Sequence, residues 1–64
     1  MIKLDQFLKL LGVAQSGGQA KHIIVEGNVK VNGVLETRRG RQLVTGDKVT
    51  VGTQTFEVKD LEKL

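Results

Sequence analysis

The dipeptide Asn32-Gly33, flanked by Val29-Lys30-Val31 and Val34, leaves this chain few choices. Both residues accept the positive φ that a two-residue hairpin turn demands, and the alternating valines supply a strand. Val34 then stands opposite Val31, so Val29, Val31 and Val34 share one face, while Leu35 falls on the face of Lys30 without an obvious place. Immediately upstream lies SGGQAKHIIVEG, residues 16–27, which reads as a helix marked at both ends. Ser16 is an N-cap whose hydroxyl accepts from an orphan backbone N–H, and Gln19 completes a capping-box spacing. Ala20, Ile23 and Ile24 recur at helical spacing, and Gly27 follows Glu26 where a C-terminal glycine belongs. The chain is expected to be built around a capped helix that runs straight into a tight hairpin.

The flanks supply the rest. Met1 to Leu4 reads as a short strand or a lead-in. Leu4, Phe7, Leu8 and Leu11 form an apolar stripe, predicting an amphipathic helix over Asp5 to Leu11, with Asp5 suiting its positive end and Gly12 ending it. The connector Val13-Ala14-Gln15 is short enough to pack the two helices against each other. Downstream, Leu43 and Val44 are expected to return to the core, and Gly46-Asp47 to turn the chain. A second hairpin through Thr53-Gln54 would pair Val51 with Phe56 and Val49 with Val58, all four on one face. Asp60 to Leu64 is too short to assign. The reading is an α+β fold: two packed N-terminal helices followed by a small, mostly antiparallel sheet of hairpins.

A chain of 64 residues makes one domain, residues 1–64, and buries only about 60% of its unfolded surface. It has no cysteine to add a disulfide or a thiolate zinc site. No signal peptide and no long apolar run is evident, so a soluble, cytoplasmic monomer is expected, away from membranes. The net charge of +3 is uneven. Residues 15–41 carry Lys21, Lys30, Arg38, Arg39 and Arg41 against Glu26 and Glu36, whereas the four acids of residues 42–64 outnumber their three lysines. Arginine makes forked contacts to phosphate and Gly40 lets a backbone come close, so Thr37 to Arg41 reads as a phosphate-facing loop. A basic middle suits a polyanion.

Catalytic chemistry is not evident. The single histidine, His22, sits on the outer face of the second helix without metal-binding company. The carboxylates are scattered, and Gly17-Gly18 lacks the lysine and serine of a nucleotide-binding loop. No enzyme, cofactor, metal or small-molecule substrate is expected. A DNA-binding helix-turn-helix is disfavoured by the β-rich second half and by a second helix with one lysine on its outer side.

The runs SGGQAK and IIVEGNVKVNG, with LDQFLKL upstream and RRGRQLVTGDKV downstream, resemble the S-four domain, an RNA-binding domain first recognised in ribosomal small-subunit protein four. The resemblance covers nearly the whole chain and is nearest to small stand-alone bacterial members. It implies an S-four-like αL fold and RNA binding through the second helix, the hairpin and the basic loop. Structured ribosomal or transfer RNA is the expected partner. By position it places Lys3, Ser16, Gln19, Lys21, Lys30 and Asn32 at the RNA face. Gly17 stands in the same set, where many members carry arginine, and Arg38, Arg39 and Arg41 are expected to compensate. With no tyrosine or tryptophan, shape and phosphate contacts would dominate over base stacking. The alternative is a protein-interaction module that docks an acidic partner on the same basic surface.

Overall fold

The structure, a computed structural model, describes residues 1–59; Asp60 to Leu64, left unassigned from the sequence, lie outside the described residues. Strand β1 (Ile2–Lys3) passes directly into helix α1 (Leu4–Leu10), one residue earlier at each end than the apolar stripe suggested. Leu11 caps α1, and Gly12 follows at φ 79°. Helix α2 (Gly17–Val25) then packs against α1. Ser16 Oγ accepts from the Gln19 N–H at 3.2 Å, as the capping pattern requires. The reciprocal bond differs from a capping box: Gln19 Oε1 reaches one residue further back, to the N–H of Gln15 at 2.8 Å.

Strands β2 (Val29–Val31) and β3 (Val34–Leu35) form the hairpin around Asn32 (φ 53°) and Gly33 (φ 81°), with Val31 opposite Val34. Strand β4 (Gln42–Leu43) pairs with β1 in a separate two-stranded ribbon. Strands β5 (Lys48–Val51) and β6 (Gln54–Glu57) complete a four-stranded antiparallel sheet in the order β3-β2-β5-β6. The register of β5 and β6 corrects the sequence reading. Val49 faces Phe56 and Val51 faces Gln54, so the turn is Gly52-Thr53, not Thr53-Gln54. Gly52 at φ 62° takes the first position of a type II′ turn, the place where glycine is favoured.

One face of the sheet carries the core. Val29, Val31, Val49 and Val58 are buried there against Leu4, Phe7 and Leu8 of α1, Ala20 and Ile24 of α2, and Leu43. A fully buried Leu, Ile or Val contributes about 1.5–3 kcal/mol, against ~1 kcal/mol for a cap. Packing of helices on sheet therefore carries the stability, and the caps set where helices begin. Two valines expected among these groups lie outside. Val34 shares the face of Val31 but sits at the hairpin tip and is exposed. Val44 is exposed as well, because the chain leaves β4 at Leu43 and Val44 enters the turn closed by the Asp47 N–H on its carbonyl (3.1 Å).

Candidate nucleic-acid interface

The residues singled out by sequence fall into separate groups. Ser16, Gly17, Gln19 and Lys21 lie together around the first turn of α2. Ser16 turns its Oγ to the Gln19 N–H in this turn, and Gln19 turns its Oε1 back to the Gln15 N–H that precedes it. Gly17 and Gly18 add no side chain, and among the described residues their N–H groups have no acceptor. Lys21 is exposed without a carboxylate partner among the described residues. His22 is also exposed, its Nε2 3.0 Å from Glu26 Oε1 one turn on.

A second group surrounds the start of α1, at the other end of that helix from the connector. Lys3 precedes α1 but gives it no side-chain cap. Instead the arginine turn does so through its backbone: the Leu4 N–H donates to the Arg41 carbonyl (2.8 Å) and the Asp5 N–H to that of Arg39 (3.2 Å). The turn is itself closed by the Arg41 N–H on the Arg38 carbonyl at 3.2 Å.

Lys30 and Asn32 belong to neither group. Lys30 alternates with two buried valines and so lies on the sheet face turned away from the helices. Asn32 is engaged by the end of the β4–β5 loop and the first residue of β5. Its Nδ2 donates to Asp47 Oδ1 (3.1 Å), and its Oδ1 accepts from the Lys48 N–H (2.9 Å). The Val44 N–H and the Asn32 amide together hold the Asp47 carboxyl below its ordinary pKa.

Sequence reasoning passed over Glu36. Its N–H donates to the Val29 carbonyl at 3.0 Å, extending the β2–β3 pairing by one residue and carrying the acid to the core face. It is the buried charged residue among those described, 5% exposed. Arg38 grips it with a fork, Nε to Oε2 at 3.0 Å and Nη2 to Oε1 at 3.1 Å, and Arg41 Nη1 adds a bond to Oε1 at 2.8 Å. The Arg38 N–H donates to Oε2 as well, at 3.1 Å. These bonds, those of Arg38 first, hold the Glu36 carboxyl down at about 2. The available signal was the alternation Val34-Leu35-Glu36, which turns Leu35 out and Glu36 in beside three arginines.

Two helices over an antiparallel sheet, with cations set around both helix starts, define a small basic binding module. The chain belongs to the S4 domain family, whose description matches residues 1–59. It is 51% identical over 59 residues to the probable ribosome maturation protein RlbA of Bacillus subtilis (strain 168), covering 91% of this chain and 83% of that protein. It is 42% identical over 57 residues to YbcJ of Escherichia coli (strain K12), covering 89% and 81%. The solution structure of E. coli YbcJ, described as revealing an αL motif involved in RNA binding, superposes with a TM-score of 0.68 at 41% identity. That match covers 91% of this chain and 73% of the YbcJ chain. The expected fold and family are thus both found. The E. coli relative is a putative RNA-binding protein.

Proposed function

We propose that this protein is a cytoplasmic RNA-binding module that acts on structured ribosomal RNA during ribosome maturation. The observation that carries the reading is the uncompensated charge. Among the described residues, Lys3, Lys21 and Arg39 have no acidic partner, and they flank the two helix starts of a fold shared with YbcJ. Phosphate contacts position such a module, and its affinity falls with salt. The open first turn of α2 and the arginine turn beside α1 are the proposed contact regions. Lys30 and Asn32, on the sheet and at the hairpin tip, lie beyond these two regions and are proposed as a peripheral part of the same interface. No helix among the described residues is long and apolar enough to cross a membrane.

The test is crosslinking in bacterial cells followed by sequencing of the bound RNA, with binding in vitro to purified ribosomal RNA in competition with duplex DNA. Ribosomal RNA should be enriched, and duplex DNA should compete poorly. Equal competition by duplex DNA, or a bound complex that survives nuclease intact and contains protein alone, overturns the reading.

A further inference from the structure

A buried carboxylate is costly unless it is paired, yet this small sheet carries one inward at its edge. Glu36 lies opposite wholly buried Val29, and its oxygens are taken up by Arg38 and Arg41. The same two arginines begin and end a turn whose corner is Arg39-Gly40. The turn is held from both sides. Side chains tie it to Glu36 on the sheet, and the carbonyls of Arg39 and Arg41 tie it to α1. Arg38 remains 74% exposed along its side chain, so its charge is felt by solvent, but its Nε–Nη2 edge is turned to the carboxylate. Arg39 is exposed and has no acidic partner among the described residues. Beside it, a Cβ at Gly40 would meet nothing within 4 Å, so the corner is open to an approaching group.

We propose that Glu36 is a positioning residue for RNA binding, fixing the Arg38–Arg41 turn so that Arg39 is the arginine presented to an RNA phosphodiester. The inference rests on the RNA-binding reading above. It divides labour within the arginine cluster: Arg38 and Arg41 hold the acid, and Arg39 meets the phosphate. It also separates positioning from simple charge. Glu36→Gln raises the net charge by one, so a charge count alone has it bind RNA more tightly. Positioning has it bind more weakly, because the turn is no longer held.

The experiment measures affinity for total ribosomal RNA purified from bacterial cells, by filter binding across a salt series, on variants whose folding is checked by circular dichroism. Arg39→Gln should weaken binding at fixed salt and reduce the slope of log affinity against log salt by roughly 0.7–0.9, one phosphate contact. Glu36→Gln should weaken binding despite its added charge, and Arg39→Gln should then cost little in the Glu36→Gln background. Arg38→Lys provides a second route if Glu36→Gln does not fold. It keeps the charge but loses the fork, and it too should weaken binding and shrink the effect of Arg39→Gln. Tighter binding by folded Glu36→Gln, or an Arg39→Gln effect of equal size in every background, overturns the proposal and leaves the RNA-binding reading standing. Failure of the wild-type chain to bind ribosomal RNA at any salt overturns both.

Discussion

At Asn32 two structural demands coincide, the positive φ of the turn and three hydrogen bonds, one to Asp47 in the β4–β5 loop and two to Lys48 at the start of β5. Its N–H donates to the Lys48 carbonyl (2.7 Å) in addition to the two side-chain bonds. Substitution separates the demands. Asn32→Gly keeps the turn geometry and loses the side-chain bonds, costing ~1 kcal/mol. Asn32→Ala must also hold a Cβ at positive φ and should cost a further 1–2 kcal/mol or so. Urea unfolding of the two variants checks this, and equal midpoints would show that φ 53° is not what asparagine is there for. Glu36 makes a different prediction, through pH. Its carboxyl is depressed from 4.5 to about 2, so its ion pairs add stability above the unfolded value and lose it as pH falls through about 2. Asp47 is depressed too and contributes an acid-side loss of its own. Glu36→Gln should therefore be less stable than wild type at neutral pH, with the gap narrowing between about 4.5 and about 2. A gap in melting temperature that stays constant across that window would contradict the assignment.

The elements differ in how plainly the sequence announces them. Helix α1 follows from the stripe Leu4-Phe7-Leu8, all buried, and α2 from its cap and its glycine stop. The first hairpin follows from Asn32-Gly33. The second is legible in its faces but not in its register. A shift of two residues leaves Val49, Val51, Phe56 and Val58 on the same side, so periodicity cannot choose between Gly52-Thr53 and Thr53-Gln54 as the turn. The glycine chooses, because a two-residue turn of the II′ type wants it first. Gly52→Val should accordingly destabilise by roughly 1–2 kcal/mol, although a Cβ there meets nothing within 4 Å. An unchanged unfolding midpoint would restore the other register. The candidate site was legible as a set of cations but not as an arrangement. What sorted Arg39 from Arg38 and Arg41 is Glu36, and its burial depends on pairing with Val29, a contact between strands that composition cannot reveal.

Over the whole molecule, a chain of 64 residues has little stability to spare, yet it keeps two glycines in the first turn of α2. Glycine in a helix costs about 1 kcal/mol against alanine, and an acid in the first turn would be favoured by the helix dipole. Packing does not require the glycines: a Cβ at Gly17 meets nothing within 4 Å, and one at Gly18 meets Ser16 Oγ at 3.8 Å, an ordinary contact. Their φ values are not positive either. The folded structure therefore gives no reason for them, whereas an RNA backbone brought against free N–H groups beside Lys21 would. The α1 start, with Lys3 and Arg39, stands at the far end of a seven-residue helix, ~10 Å long, about one Debye length at 0.1 M salt. The two regions should then contribute as nearly separate charges along one stretch of RNA. Gly18→Glu tests the α2 region by setting stability and binding against each other. The variant should melt at or above the wild-type temperature, while its affinity for ribosomal RNA at fixed salt falls. Gly18→Ala should show the stability gain with much less loss of binding, since it adds neither charge nor reach. If Gly18→Glu binds like wild type, phosphate does not approach α2 at its first turn, and the interface lies mainly at Lys3 and the arginine turn.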